Sequence, residues 1–377
     1  MSGPVRTLAR ASRALSLNRP LDVGWIECAL PHAQRGSLLK GLLDEVPHIH
    51  QSYLYDARGV ELYDKILQQP EYYLPAAEDR LLRSRLREIA CDPRLADCDV
   101  AAAVVELGSG DGHRTLPLIE QIAELSTSPI LYAPADISKE SLHANLRQFS
   151  VSERLGRSKQ DQCVPILGMH EEAIAAAGAH FGAERTLTFL FMGSSLGNLY
   201  DHEIIDLFSC VRDQLISPLA GADSSTGRFI LGVDLPHGEH KTIDRLQTAY
   251  NDPAGWTAAF TLNALSHLNC IAGTDFVQSG WRHVAEYDIP TTSIITHVEA
   301  LAPQVVTIPS RDGSGRIELR RFSTGDRIFV EQSRKFSEQS IRRLAGAAGM
   351  RVERYWASED YLICELVVAT PTPAAAL

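Results

Sequence analysis

A glycine-rich turn, Gly108-Ser109-Gly110-Asp111-Gly112, follows an apolar run and precedes a segment with helical spacing of its apolar residues. A buried parallel strand that opens onto such a turn lets the backbone approach a nucleoside closely, because glycine has no side chain in the way. The turn predicts a nucleotide-like cofactor here. Taken alone it is a weak signal, since His113 replaces the last glycine of the dinucleotide fingerprint.

Two acids near the turn favour a sulfonium cofactor, S-adenosylmethionine, over NAD, and a third suits either cofactor. Glu106 precedes the turn and Asp111 lies within it. A pyrophosphate prefers a helix start without fixed negative charge, whereas the ammonium and sulfonium of S-adenosylmethionine tolerate nearby acids. Asp136 ends the second predicted strand, where an acid can accept both ribose hydroxyls of either cofactor. The alternative is a glycine turn that binds no ligand.

The elements around the turn alternate between short apolar runs and amphipathic stretches, which predicts βαβ units. The predicted strands are 103–107, 130–135, 164–167, 187–192 and 229–233, and the predicted helices are 115–125, 139–149, 171–179 and 202–215. A helix at 338–348 and an antiparallel pair at 352–357 and 361–368 complete the sheet. The expected fold is α/β, a Rossmann-like, doubly wound, seven-stranded methyltransferase sheet with an inserted α+β substrate-binding domain.

The pattern changes after Asp234, which defines the expected domains. Helices at 244–249 and 256–270 precede strand-like alternation at 283–287, 293–300, 304–308, 317–322 and 327–331, with turn signals at Asp312-Gly313 and 324–326. Residues 55–59 are expected to form a turn in a mostly helical N-terminal region. The expected domains are a flexible tail at 1–20, a helical N-terminal segment at 21–100 that contributes to the substrate site, the cofactor-binding core at 101–235, the inserted substrate-binding module at 236–336, the return to the sheet at 337–368, and a second flexible tail at 369–377.

Composition indicates a globular enzyme with a small-molecule substrate. The 377 residues are 45% hydrophobic and 22% charged, and the net charge of −11 argues against a nucleic-acid partner. No apolar run is long enough to span a bilayer. Seven scattered cysteines without a CxxC pair are typical of a cytoplasmic protein with reduced thiols. Residues 1–20 hold four arginines and no acid, so a transit peptide is the alternative to a flexible tail. We expect a monomer or a weak homo-oligomer, with no membrane partner.

Six motifs in one order carry a family resemblance from residue 35 to residue 368. They are Tyr55-Asp56-Ala57-Arg58-Gly59-Val-Glu-Leu-Tyr63, Pro70-Glu71-Tyr72-Tyr73, Glu106-Leu-Gly-Ser-Gly110, Gly193-Ser-Ser-Leu-Gly-Asn198-Leu, Ala249-Tyr250-Asn251-Asp252-Pro-Ala-Gly255 and Glu331-Gln-Ser333-Arg-Lys335-Phe336. Together they resemble the histidine Nα-methyltransferases of ergothioneine biosynthesis, class I enzymes that use S-adenosylmethionine. Relatives include fungal enzymes that methylate prenylated tryptophan.

The resemblance implies roles for the matching positions. The implied catalytic residues are Tyr55, Tyr72 and Asn198. The implied substrate-binding residues are Tyr55 and Tyr72 on the amine side, Asn198 and Tyr250 at the carboxylate and α-amine, and Glu331 and Ser333 at the distal side chain. The implied cofactor-binding residues are Glu106, Gly108, Ser109, Gly110, Arg114 and Asp136. The implied reaction is trimethylation of the α-nitrogen of L-histidine to hercynine.

The implied roles fit the chemistry of methyl transfer, an in-line displacement that requires a neutral amine, close alignment and a dry site. Phenol and carboxamide groups hydrogen-bond an amine without locking it as an ammonium. No metal is needed, and the spacing of His237, Glu239 and His240 does not match a zinc motif. A structural alternative exists at Asn198, which follows Gly197 and would also suit a left-handed turn. At Glu331 the alternative is a surface ion pair with Lys335 or an arginine.

Several departures from the family pattern cluster near the expected substrate. The adenine-contacting acid is replaced by Met169-His170, so this contact is left to His170, Glu171 or the backbone. Thr261 lies in a stretch where the family pattern has an arginine that this chain lacks, and Thr296 replaces a methionine of the histidine enzymes. The first alternative is therefore N-methylation of arginine or a tryptophan derivative. An NAD-dependent oxidoreductase and a non-catalytic ligand-binding protein are the alternatives of other classes.

Overall fold

The computed structural model describes residues 24–28, 41–92, 102–155, 161–216, 227–309 and 317–369. The tail and transit-peptide expectations for residues 1–20, the expected tail from residue 370 onward and the turn at Asp312-Gly313 lie outside these residues. No helix in the described ranges is both long and apolar enough to cross a membrane.

Ten α-helices occur in the described part of the chain. In chain order, α1 to α10 are Ala57–Leu67, Leu74–Ser84, Leu86–Ala90, Leu116–Leu125, Lys139–Val151, His170–Phe181, Asp201–Leu215, Ile243–Ala249, Trp256–Ala272 and Glu338–Ala347. Short 3₁₀ helices occupy Gln51–Leu54, Ser195–Asn198 and Gln278–Gly280.

Fourteen strands are found in the same ranges. In chain order, β1 to β14 are Ile26–Glu27, Ala102–Leu107, Leu131–Asp136, Gln162–Cys163, Ile166–Leu167, Thr186–Phe191, Arg228–Asp234, Trp281–Asp288, Ser293–Ala300, Gln304–Pro309, Ile317–Phe322, Arg327–Arg334, Met350–Ala357 and Tyr361–Val368. These elements lie close to those expected from the alternation of apolar and polar residues.

The described residues divide into two compact units. The core unit takes those within 1–30, 76–234 and 336–377, and the insert unit takes those within 31–75 and 235–335. The N-terminal segment expected at 21–100 is thus divided, because residues 41–75 group with the insertion, whereas residues 24–28 and 76–92 group with the core unit.

The core unit is built on one sheet with the strand order β1-β5-β3-β2-β6-β7-β14-β13, in which β4 also pairs with β3. Strands β1 to β7 pair in parallel, and β14 is antiparallel to both β7 and β13. Every residue of β2, β6 and β7 is buried, as expected for parallel strands covered on both faces. The Rossmann-like α/β fold is confirmed.

The sheet has nine strands, two more than expected. Of the strand expected at 164–167, only β5 at Ile166–Leu167 is formed, and β4 at Gln162–Cys163 precedes the expected range. Val164 and Pro165 separate the two strands, and proline has no N–H to donate to a ladder. Strand β1 adds a pairing at the sheet edge, next to β5.

The insert unit contains a three-stranded antiparallel sheet, β12-β9-β8, and the hairpin β10-β11. One apolar core joins these strands to α1, α9 and the N-terminal residues from Leu42 onward. Leu62 and Ile66 of α1 and Leu265 and Leu268 of α9 belong to this core. The segment 41–75 is therefore a structural part of the insert unit.

The turn expected at 55–59 is wrong, because helix α1 begins at Ala57 and Asp56 caps it. The Asp56 carboxylate accepts the Gly59 N–H at 2.7 Å and the Asn263 amide N–H of α9 at 2.7 Å. A Cβ on Gly59 would lie 1.7 Å from the Leu54 carbonyl oxygen, so glycine is required there. The motif reads as a turn because aspartate and glycine favour both turns and helix starts.

Replacing Asp56 by alanine removes the α1 cap and the bond to α9, so Asp56→Ala is expected to destabilise the protein by about 1–2 kcal/mol. Urea unfolding measures the change. Asp56→Asn is the matched control, since asparagine caps helices as well as aspartate does. Equal stability of the alanine and asparagine variants would contradict the assignment.

Candidate functional site

The glycine turn of the core unit follows β2 and is bonded to the neighbouring strand β3. Gly108 and Gly110 adopt φ values of 62° and 53°, in the left-handed region that favours glycine. The Ser109 N–H donates to the Ala135 carbonyl at 3.0 Å, and the Gly110 N–H donates to the Asp136 carboxylate at 3.0 Å. No described atom lies within 4 Å of a Cβ built on Gly110, so the turn offers open space.

Asp136 ends β3 beside this turn. One carboxylate oxygen accepts from Gly110, and the other accepts the Ser138 N–H at 2.9 Å. Burial raises the pKa of this carboxyl, and the backbone donors oppose that rise. A carboxylate has about four acceptor positions, so the two backbone bonds leave capacity for hydroxyl donors.

Glu106 lies buried in β2, where it accepts the Tyr132 hydroxyl of β3. The Asn145 amide donates to the same hydroxyl oxygen at 3.1 Å, which gives a chain of hydrogen bonds from Asn145 to Tyr132 to Glu106. Burial raises the pKa of Glu106 to about 7, although the Tyr132 bond lowers it. The sequence did not identify Tyr132 and Asn145 as residues near the site. The only sequence feature that marks them is a polar group on the apolar face of a strand or a helix.

Glu78 is a second missed residue of the core unit. Its buried carboxylate accepts the Gly193 N–H at 2.6 Å and the Tyr361 hydroxyl, and lies 3.6 Å from the Arg114 guanidinium. Glu78 thus holds Arg114, an expected cofactor residue, near the loop after β6. The only sequence signal is an acid on the apolar face of α2, beside Ala77 and Leu81.

The loop after β6 carries the expected residue Asn198 at the end of a 3₁₀ helix. Asn198 is half-buried, and its φ is not positive. The left-handed conformation falls instead on Gly193 and Ser194, with φ values of 74° and 60°. The alternative that made Asn198 a left-handed turn residue is therefore wrong.

Two polar side chains at the turn are suited to a ligand. The Ser109 hydroxyl is buried and has no hydrogen-bond partner among the described residues. The His170 imidazole Nε2 lies 3.7 Å from a Cβ built on Gly108, and burial lowers the pKa of this histidine. A neutral imidazole and an unused hydroxyl beside open glycine backbone fit a nucleoside cofactor.

The insert unit holds an aromatic cluster made of Tyr55, Tyr63, Tyr72, Tyr250 and Phe260. Tyr72 meets Tyr250 edge-to-face with 5.7 Å between ring centroids, and Tyr55 meets Phe260 in the same way at 5.3 Å. Burial holds the pKa of Tyr72 well above its ordinary value, so the phenol stays neutral. The structure brings the expected residues Tyr55, Tyr72 and Tyr250 together.

Tyr250 follows α8 as its C-cap residue and is hydrogen-bonded to two residues of the Glu331–Phe336 motif. Its hydroxyl lies 2.7 Å from the Ser333 hydroxyl and 2.9 Å from the Lys335 ammonium. Lys335, which was not among the expected site residues, also donates to Ser333 at 2.9 Å. Lys335 is 1% exposed, so the alternative of a surface ion pair with Glu331 is wrong.

Glu331 is half-buried on β12, two residues before Ser333, so both side chains lie on one face of the strand. Burial raises the pKa of Glu331 to about 7, and the Lys335 charge opposes this rise. Thr296 of β9 is the cross-strand partner of Glu331. The threonine that departs from the family pattern therefore adjoins the acid expected at the distal side chain.

Thr261, another departure, supports the Tyr250 backbone through His283 of β8. The His283 imidazole lies 2.9 Å from the Tyr250 carbonyl through Nε2 and 3.0 Å from the Thr261 hydroxyl through Nδ1. Burial lowers the pKa of His283, so the ring is neutral and donates its Nε2 proton to the Tyr250 carbonyl. The Thr261 hydroxyl lies within hydrogen-bond distance of both His283 Nδ1 and the Thr257 carbonyl.

The loop with His237, Glu239 and His240 joins no metal-binding group, because the described residues contain no cluster of three potential metal ligands. His237 Nδ1 lies 3.0 Å from the Tyr287 hydroxyl.

Comparison with known proteins identifies the family. Residues 34–370 match the family described as histidine-specific methyltransferase, SAM-dependent. The chain belongs to this family. It is therefore a methyltransferase that uses S-adenosylmethionine, as the acids near the turn and the motif resemblance predict, and the NAD alternative is set aside.

Individual family members align over most of this chain. It is 30% identical to a histidine N-alpha-methyltransferase of Mycobacterium tuberculosis over 332 residues, which are 87% of this chain and 92% of that protein. It is 29% identical to ergothioneine biosynthesis protein 1 of Neurospora crassa over 80% of this chain but 31% of that longer protein. It is 25% identical to N-methyltransferase dtpB of Aspergillus flavus over 87% of this chain and 86% of that protein.

Replacing Tyr132 by phenylalanine tests the Glu106 hydrogen bond of this methyltransferase. Glu106 keeps its proton up to about pH 7 when folded and only to its ordinary pKa of 4.5 when unfolded, so its contribution to stability falls as pH rises between these values. Tyr132→Phe removes the hydroxyl that donates to the ionised Glu106 carboxylate, so the pKa of Glu106 in the folded protein rises further. The pH range over which the free energy of unfolding falls therefore extends to higher pH.

The free energy of unfolding of Tyr132→Phe is expected to be about 1–3 kcal/mol lower than that of the wild type, and the difference is expected to be smaller at pH 5 than at pH 8. Urea unfolding at both pH values measures it. Tyr355→Phe is the control, since Tyr355 is 48% exposed. A loss that is the same at both pH values would contradict the assignment.

Proposed function

We propose that the protein transfers methyl groups from S-adenosylmethionine to the α-nitrogen of L-histidine and continues to the trimethylated product, hercynine. The observation that carries the choice of histidine is the match of residues 34–370 to a family described as histidine-specific. The Glu331 carboxyl, half-buried on β12 and with its pKa raised to about 7 by burial, is compatible with that choice. An imidazole has an ordinary pKa of about 6.5, so this acid and this base can share one proton across neutral pH. A guanidinium would also pair with the Glu331 carboxylate, so the choice of histidine over arginine is supported by the match of residues 34–370 to a family described as histidine-specific.

In the core unit, the proposed cofactor residues are Glu106, Gly108, Ser109, Gly110, Arg114 and Asp136. Gly108 and Gly110 would contact the methionine part, Arg114 its carboxylate and Asp136 the ribose hydroxyls. The unpaired Ser109 hydroxyl supports this assignment. S-adenosylmethionine supplies a methyl group on a positively charged sulfur.

The proposed residues at the amine are Tyr55, Tyr72 and Asn198. The α-amine must lose a proton before each transfer, because only its lone pair can attack the methyl carbon. Neutral phenol and carboxamide groups orient that lone pair without adding a charge that would hold the proton. Tyr250 would bind the carboxylate, and Glu331 and Ser333 would bind the imidazole.

We also propose that the protein acts in the cytoplasm as a monomer or weak homo-oligomer and binds neither nucleic acid nor membrane. The net charge of −11 and the scattered cysteines support these proposals.

Incubation with S-adenosylmethionine and separate amino acids tests the substrate. L-histidine is expected to gain three methyl groups by mass spectrometry, whereas arginine and tryptophan are expected to gain none. Fragmentation of the product locates the methyl groups on the α-nitrogen or the ring. Methylation of arginine or a tryptophan derivative in preference to histidine would overturn the substrate assignment while leaving the cofactor assignment intact.

Replacing Glu331 by alanine removes the proposed partner of the imidazole. Glu331→Ala is expected to weaken histidine binding about tenfold to a hundredfold, the range for a hydrogen bond to a charged group, and to leave S-adenosylhomocysteine affinity nearly unchanged. Calorimetry measures both affinities. Glu318→Ala is the control, because Glu318 is exposed on β11 of the same unit. Loss of both affinities together would mean that Glu331 supports folding instead.

A further inference from the structure

Glu78 of α2 lies buried in the core unit between two elements whose residues have proposed roles toward different ligands. Glu78 is 2% exposed. Its Oε2 accepts the Gly193 N–H at 2.6 Å and the Tyr361 hydroxyl, whereas its Oε1 lies 3.6 Å from the Arg114 guanidinium. Each oxygen therefore serves a different element. Oε1 faces the residue proposed for the cofactor carboxylate, and Oε2 faces the loop that carries Asn198.

The bond to Oε2 supports a strained turn. Gly193 and Ser194 both have left-handed φ values, 74° and 60°, and a serine keeps such a conformation only where its surroundings hold it. The Ser194 N–H donates to the Gly232 carbonyl at 3.2 Å, and the Ser194 hydroxyl accepts the Asp234 N–H at 3.0 Å. These two bonds attach the turn to β7, and the Glu78 bond attaches it to α2.

The turn sets the position of Asn198. Ser194 is the N-cap residue of the 3₁₀ helix Ser195–Asn198, so the direction of this helix follows from the backbone of the turn. Without an acceptor at its N–H, Gly193 would hold a partly buried donor that is unpaired, and the turn could relax to another conformation. Glu78 thus orients Asn198 through the backbone.

The Arg114 guanidinium lies over the same turn. A Cβ built on Gly193 would be 3.6 Å from Arg114 Nη2 and 4.0 Å from Nη1. The Arg114 side chain is 36% exposed and the Glu78 side chain 3%, so the carboxylate is the buried partner and the guanidinium reaches outward. A guanidinium has five N–H donors, so Arg114 can face Glu78 and a ligand carboxylate at the same time.

Glutamine in place of Glu78 would separate the two contacts. Its one carbonyl oxygen can accept from both Gly193 and Tyr361, as Oε2 does. Burial holds the pKa of Tyr361 well above its ordinary value, so this phenol remains a donor. The glutamine NH₂ then replaces Oε1, where it meets the donors of Arg114 without a negative charge.

We propose that Glu78 is a positioning residue for both ligands of this methyltransferase and that its two carboxylate oxygens act separately. Oε1 orients Arg114 toward the cofactor, and Oε2 orients Asn198 toward the amino-acid substrate through the turn at Gly193 and Ser194. The proposal rests on the proposed function, because that function assigns Arg114 and Asn198 to these ligands. It adds a buried residue that acts through others and makes the two affinities separable.

Calorimetry on wild type, Glu78→Gln and Glu78→Met tests the proposal. It measures the dissociation constant of S-adenosylhomocysteine, and that of L-histidine at saturating S-adenosylhomocysteine. Glu78→Gln is expected to weaken S-adenosylhomocysteine binding about tenfold, the size of one interaction with a charged group, and to change histidine binding less than about twofold. Glu78→Met keeps the length of the side chain but has no oxygen acceptor, so it is expected to weaken both ligands about tenfold.

Glu78→Gln decides the outcome even if Glu78→Met does not fold. An unchanged affinity of Glu78→Gln for S-adenosylhomocysteine, or an equal loss of both affinities, would overturn the proposal. Equal histidine affinities of the folded Met and Gln variants would also overturn it, because the turn would then not depend on Oε2. Methyl-transfer kinetics give a second readout: Glu78→Gln is expected to raise KM for S-adenosylmethionine and to leave KM for histidine near the wild-type value.

The matched control is Glu365→Gln. Glu365 is an acid of the same unit at 1% exposure, and it accepts from the Arg228 guanidinium at 3.2 Å. This variant is expected to keep both wild-type affinities, and thermal unfolding of all variants separates lost stability from lost binding. Wild-type methyl transfer is measured first, so failure of the proposed function is recognised separately. If another amino acid is methylated, it replaces histidine in the calorimetry.

Discussion

The cost of removing polar groups from water is the constraint on which both units depend. A buried acid or ammonium is tolerated only when other groups bond to it, and here those groups come from distant parts of the chain. Glu78 of α2 is bonded by the loop after β6 and by Tyr361 of β14. Lys335 is bonded to Tyr250, which lies 85 residues away in the sequence. Each bond fixes two elements and also orders a side chain beside a proposed ligand.

The same constraint explains which parts of the fold the sequence predicts. Burial of apolar strands follows from composition and spacing, so the alternation of apolar runs and helices is enough to predict the parallel sheet. The antiparallel strands of the insert unit are equally visible, since 293–300 and 317–322 match β9 and β11 in full. The added strands β1 and β4 have two residues each, which is too short for a periodic signal.

The spacing of apolar and polar residues does not predict the hydrogen-bond partners of buried polar groups. Tyr132, Asn145 and Glu78 are single polar residues in apolar surroundings, and nothing in their spacing identifies the group that each one meets. The motif at 55–59 shows a related ambiguity, because Asp56 and Gly59 suit a turn and a helix start alike. Only the Leu54 carbonyl beside Gly59 and the Asn263 amide beside Asp56 decide between them. Motifs marked the right positions at Tyr55 and Ser333, whereas the hydrogen-bond partners required the structure.

Desolvation also connects the structure to chemical selectivity. Burial raises the pKa of the Glu331 carboxyl to about 7, close to that of a free imidazole. Substituting Thr296, beside Glu331 on β9, would change the polarity around that acid and therefore the type of side chain that it accepts.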